Sequence, residues 1–180
     1  ASKYLDDCIQ NGWVSSAGNW VNKFETKICE YTGSKNAIAI TNGTNALRLS
    51  LHLAGVNHGE EVLLPSLSFV ATANAISHLG AIPHFIDIES SSLGMDPNAL
   101  LKELENVCIK KNNKVFNKNT GRRISAILPV HIFGHPSQIV SIKSIANYWN
   151  IPLIEDAAEA LGSWKKDNDK NIHCGLIGDL

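Results

Sequence analysis

A chain of 180 residues, 44% hydrophobic and 18% charged, is long enough and apolar enough to bury one sizeable core. Its formal net charge of -1, with no basic block, offers no electrostatic footprint for nucleic acid or an anionic membrane surface. No apolar stretch is long enough to span a bilayer, no signal-peptide core opens the chain, and Cys8, Cys29, Cys108 and Cys174 form no C-x-x-C pair; the expectation is a cytoplasmic chain with reduced thiols and no structural metal.

Residues 2–10 read as a short helix ended by Asn11 and Gly12, and residues 13–18, with Ser15 and Ser16, as a loop. An amphipathic helix is expected from Asn19 to Tyr31, with Trp20, Val21, Phe24, Ile28 and Tyr31 on one face and a stop at Gly33. Ala37 to Ile40 is a candidate buried strand leading through Asn42 into a helix that reaches about Ala54. A strand, a glycine turn and a helix in that order present the N–H groups of Gly43, Thr44 and Asn45 at the positive end of a helix dipole. Such a terminus suits a phosphate, and the same residues also serve as a plain N-cap.

Val62 to Leu64 is a strand stopped by Pro65, and a helix follows to Ile76 with Phe69 in its first turn. There the ring either lies on a planar ligand or packs into the core. Residues 80–88 form a strand closing on Asp87, and Asp96 and Pro97 open a helix whose apolar face is Leu100, Leu101, Leu104 and Val107. The polar stretch 110–123 reads as an exposed excursion. Residues 124–130 form a strand, 131–136 a loop with His131 and His135, and 138–149 an amphipathic helix.

The run from Ile151 to Ile154 has the look of a buried strand, and it ends in two adjacent carboxylates, Glu155 and Asp156, followed by small residues. A carboxylate there is costly unless a cation or hydrogen-bond donors meet it. Strand C-termini are also where open α/β sheets bind ligands. Asp156 therefore either faces a protonated heteroaromatic nitrogen or caps the next turn. The alternation of strand and helix implies a three-layer α/β sandwich with a mostly parallel sheet. A phosphate cradle, a stacking ring and a carboxylate on one sheet edge together meet the needs of pyridoxal phosphate, whose ring accepts carbanion electrons when its nitrogen is protonated.

The segments Gly12–Gly18, Phe24-Glu25, Asn42–Leu47, Gly59–Val62, Pro65–Phe69, Gly80–Pro83 and Glu155–Gly162 resemble the DegT/DnrJ/EryC1/StrS sugar aminotransferases, which have the aspartate aminotransferase (type I) fold. The resemblance implies that Gly43, Thr44 and Asn45 hold the cofactor phosphate, Phe69 stacks on the ring, and Asp156 pairs with its nitrogen. Glu159 falls near the cofactor hydroxyl, as in the perosamine and legionaminic-acid branches, and Ser15, Ser16 and His131 are candidate substrate contacts. It further implies a homodimer that aminates a nucleotide-linked 4-keto-6-deoxy sugar with glutamate as donor, in surface-glycan (lipopolysaccharide) sugar synthesis. The region 122–136 is similar to enzymes acting on UDP-linked, N-acetylated sugars.

Gly178-Asp-Leu180 matches the start of the run that leads to the family's Schiff-base lysine, which lies outside these 180 residues. Residues 1–180 are thus expected to be the N-terminal part of the pyridoxal-phosphate-binding large domain, without the small domain. Two alternatives stay open: a sugar dehydratase of the same fold with histidine in place of the lysine, and a non-catalytic nucleotide-binding α/β domain. A turnover assay of the 180-residue chain with pyridoxal phosphate, glutamate and keto-sugar is expected to yield no amino sugar; clear product contradicts the expectation.

Overall fold

The computed structural model describes residues 2–15, 18–167 and 170–180. It divides into two compact units, Ala1–Ile40 and Thr41–Leu180.

The first unit holds helices α1 (Ser2–Gln10) and α2 (Asn19–Thr32). Tyr4 and Trp20 join them through rings 4.3 Å apart, and the Trp20 indole N–H donates to Asp7 at 2.7 Å. Gly33 ends α2 in the left-handed conformation, its N–H on the carbonyl of Cys29. The expected face of α2 is only half covered: Phe24 and Tyr31 are exposed. Ala37 to Ile40 is not a strand, which corrects the sequence expectation. Ile38 is 75% exposed, and the Ala39 N–H goes to the Glu25 carboxylate. Four apolar residues suit a strand only if a partner edge lies beside them, and local pattern does not report partners.

The second unit holds α3 (Gly43–Leu53), β1 (Glu61–Pro65), α4 (Val70–Ser77), β2 (Ile82–Ile86), α5 (Pro97–Val107), β3 (Cys108–Lys111), β4 (Lys114–Asn117), β5 (Arg123–Ile127), α6 (Ile139–Trp149), β6 (Trp164–Asp167) and β7 (Lys170–His173). One sheet has the order β2-β1-β5-β4-β3. β1 runs parallel to both β2 and β5, whereas β3 and β4 are antiparallel, so the sheet is mixed. The segment 151–156 runs parallel to the end of β5 through bridges Ile127–Leu153 and Val130–Asp156.

β1 is buried from end to end, and its alternation splits the core in two. Leu63 joins Ile127 and Leu153 under α5 and α6, against Leu100, Leu104, Ile139 and Ile142. Val62 and Leu64 join Ala126, Leu128 and Ile154 under α3 and α4, against Leu51, Ala75 and Ile76. Helices on both faces make the three layers expected. Asp96 caps α5 by accepting from the Asn98 N–H, with Pro97 at the first helical position. Among the described residues, no helix is long and apolar enough to cross a membrane.

The stretch 110–123 is not an excursion. It contributes β4 and most of the β3–β4 hairpin, whose tip, Asn112 and Asn113, has positive φ at both positions. Lys110 and Lys111 are exposed on β3, the terminal strand of the sheet, where charge discourages further pairing. The polarity that suggests a loop has another cause: Asn117 and Thr120 donate to the buried carboxylate of Glu61, at 2.9 and 2.6 Å. The ring of His84 meets the same carboxylate at 2.8 Å. Burial pushes the Glu61 carboxyl up, but the bonds from Thr120, His84 and Asn117 outweigh it and hold it below its ordinary value.

Leu63 is 1% exposed at the centre of one half-core. Leu63→Ala is expected to lower the unfolding free energy by about 2–5 kcal/mol, read by urea denaturation; a loss under about 1 kcal/mol contradicts this packing.

Candidate functional site

The C-terminal ends of the parallel strands converge on a cavity of about 470 Å³, within the range of small-molecule sites. Gly43 and Thr44, Phe69, His131, Asp156 and Glu159 all line it. Four separate chain segments thus come together, with β1, β5 and the 151–156 segment running parallel and ending side by side.

The helix start on this wall is narrower than expected. Asn42 is the N-cap of α3, and its side-chain oxygen accepts the Asn45 N–H at 2.9 Å. The Asn45 side chain turns to Thr41, and Asn45 does not line the cavity. The sequence expectation of three presented N–H groups is therefore corrected to the first two, Gly43 and Thr44, with the third engaged by the cap. Those first two lie in the turn where a helix has no carbonyl of its own to offer. A Cβ built on Gly43 meets nothing within 4 Å, so space lies open beside its backbone.

Phe69 is the N-cap residue of α4, one position before the expected first turn, and 75% exposed. It is not a core aromatic; its ring stands at the cavity. Facing it from the sheet, Asp156 is 7% exposed. One of its oxygens accepts the Thr72 hydroxyl at 2.9 Å, and the other accepts the Ala158 N–H at 3.3 Å. Both readings of Asp156 thus hold in part: a long contact caps the following turn, and acceptor capacity remains toward the cavity. A carboxylate offers about four lone-pair sites, and donors among the described residues take two.

Glu159 accepts the Phe133 N–H at 2.8 Å. That bond closes the turn Ile132–Gly134, where Phe133 has φ 52 and Gly134 φ 77. A Cβ on Gly134 would stand 2.8 Å from the Glu159 carbonyl oxygen, so glycine permits this approach. His131 is buried, and both its ring nitrogens are used: Nε2 lies 2.9 Å from Glu155, and Nδ1 accepts the Ser137 N–H at 3.1 Å. It forms part of the wall, with neither nitrogen left over for a substrate. Ser15 belongs to the first unit and Ser16 lies outside the described residues, so neither is placed at the cavity.

Thr72 escapes a reading of the sequence alone, and Glu155 shows there as a charge without its partners. Thr72 is fully buried in α4, three residues past its N-cap, where nothing local distinguishes it from a core threonine. Glu155 receives His131 and three backbone N–H groups. Burial pushes its carboxyl up, but the bonds from His131 and from the N–H groups of Gly178 and Gly175 prevail and hold it below the usual range. Its contribution to stability is therefore complete above the unfolded value, about pH 4, and is lost as pH falls through the lower folded value. Burial and the charge of Glu155 push the Cys174 thiol up to about 11, so it stays protonated at neutral pH.

The chain matches the profile of the DegT/DnrJ/EryC1/StrS aminotransferase family over residues 1–179. It is 36% identical over 178 residues to a GDP-perosamine synthase of Vibrio cholerae, covering 99% of this chain and 43% of that protein. A DegT DnrJ EryC1 StrS aminotransferase from Brucella abortus superposes with a TM-score of 0.83 at 32% identity, over 98% of this chain and 44% of the other. DesI, determined in the presence of its TDP-sugar product, superposes with a TM-score of 0.80 at 29% identity, over 99% and 40%. The chain thus spans less than half the length of these relatives.

Thr72→Val removes the hydroxyl without changing the shape and leaves Asp156 with one fewer donor. It is expected to cost about 1–3 kcal/mol in denaturant unfolding, with Thr72→Ser near the parent; equal behaviour of both variants contradicts a role for the hydroxyl.

Proposed function

Because the chain belongs to the DegT/DnrJ/EryC1/StrS aminotransferase family, we propose that this cavity is the cofactor end of a pyridoxal-phosphate-dependent sugar aminotransferase. The observation that carries the reading is the meeting of Asp156, Phe69 and the α3 start around one space. The residues present fit the cofactor. An acid with unused acceptor capacity suits a protonated pyridine nitrogen, and the N–H groups of Gly43 and Thr44 at a helix N-terminus suit a phosphate. An exposed ring suits a planar face.

When bound, the cofactor supplies an electron sink for the carbon that bears the amino group. The chain's own residues hold it ready. Asp156 would keep the proton on the ring nitrogen, and Thr72 holds the carboxylate through one of its oxygens. Phe69 covers one face and keeps water from it. Gly43 and Thr44 anchor the phosphate. Glu159, oriented by the Phe133 N–H, lines the cavity and is assigned to the cofactor hydroxyl.

The substrate is a nucleotide-linked 4-keto-6-deoxy sugar, with glutamate as amino donor. The names of the GDP-perosamine synthase and of DesI with its TDP-sugar product support a nucleotide-linked sugar and differ in the base. The likeness of residues 122–136 to enzymes of UDP-linked, N-acetylated sugars supports that form in this reading, with a place in surface-glycan synthesis. The active protein in this reading is a homodimer.

Pyridoxal phosphate titrated into the protein is expected to give a saturable change in the absorption of its ring. Asp156→Asn is expected to weaken binding about tenfold to a hundredfold, the worth of a hydrogen bond to a charged group. No saturable change in the parent, or equal affinity in the variant, contradicts the assignment.

A further inference from the structure

Glu155 is buried beside Asp156, yet the proposed reaction gives it no task. Extended backbone sends successive side chains to opposite sides. The Asp156 carboxylate meets Thr72 and the cavity, and that of Glu155 meets a different set. His131 Nε2 reaches it at 2.9 Å from the cavity wall. The N–H groups of Gly175 and Ile177 donate at 3.0 and 2.6 Å, and that of Gly178 joins them, all from the loop after β7.

The set is closed on itself. The Ser137 N–H donates to Nδ1 of His131, which puts the ring's proton on Nε2 and aims it at Glu155. The His131 backbone N–H donates to the Asp156 carbonyl at 3.1 Å. A Cβ on Gly178 would stand 2.9 Å from the Leu153 carbonyl oxygen, so the loop lies flat on the segment that carries both acids. Among the described residues, no lysine or arginine pairs with it. The charge is held by dipoles alone: one imidazole N–H and three backbone N–H groups. A buried ionised group is a poor source of stability compared with an apolar side chain of like volume. What it provides is direction: four donors from two segments are satisfied in one arrangement only.

We propose that Glu155 is a positioning residue for the site, its carboxylate locking the His131 wall and the 174–178 loop to the strand end so that Asp156 is presented to the cavity in a fixed orientation. The link to catalysis rests on the reading of the cavity as a cofactor site; the lock itself does not.

The test compares Glu155→Gln with Asp179→Asn. The glutamine keeps the shape but turns an NH2 toward donors. Asp179 ties the outer end of the same loop to the Leu153 N–H at 2.9 Å and to Lys143, and it does not line the cavity. Glu155→Gln is expected to speed amide exchange at 175, 177 and 178 about tenfold or more. It should also shift the His131 ring nitrogen signals away from the Nε2–H pattern and weaken pyridoxal phosphate binding about tenfold or more. Asp179→Asn is expected to raise loop exchange alone. The proposal is overturned if Glu155→Gln leaves the His131 signals and the affinity unchanged, or if Asp179→Asn weakens binding equally. A parent protein that shows the Nε2–H pattern, loses it in the variant and takes up no pyridoxal phosphate upholds the lock and refutes the cofactor reading. Should Glu155→Gln not fold, the parent decides: an Nε2–H pattern upholds the lock, and its absence overturns it.

Discussion

Three buried carboxylates bound the sheet, and the difference in how they are satisfied separates structure from site. Burying a charge is affordable only where donors replace the water it loses. Glu61, at the start of β1, is met by Thr120, Asn117 and His84. Glu155 is met by His131 and three backbone N–H groups. Asp156 has one good donor, Thr72, and one long one. The first two have three and four donors respectively. The third keeps lone pairs toward a cavity that also receives a helix start and an exposed ring. An incompletely satisfied acid at the ligand-binding edge of the sheet is what a cationic ring nitrogen requires.

That arrangement depends on the parallel pairing of β1, β5 and the 151–156 segment, which aligns their ends. The pairing in turn depends on the two-sided core, with Leu63 facing α5 and α6 and its neighbours facing α3 and α4. A shift of one residue in β1 would exchange the two faces and carry the strand ends out of alignment.

Much of this was legible before the fold was known, because it is written in local chemistry. Asp96 followed by Pro97 marks a helix start, Gly33 a helix end, and Glu155 with Asp156 a strand end with charge to satisfy. Phe69 and Asp156 fall on one cavity as the order of elements implied. What local pattern missed depends on distant partners. The polar residues of 110–123 look like a loop until Glu61 is seen to need them. Ala37 to Ile40 looks like a strand until no strand lies beside it among the described residues. Asn45 looks available until Asn42 takes its N–H. Thr72 is silent in sequence because its partner is 84 positions away.

The most direct measurement is a crystal structure of the protein soaked with pyridoxal phosphate. The account predicts the ring nitrogen within about 3 Å of an Asp156 oxygen and the phosphate on the N–H groups of Gly43 and Thr44, with Phe69 against the ring. A cofactor bound elsewhere, or one bound here with its phosphate turned toward Asp156, contradicts it.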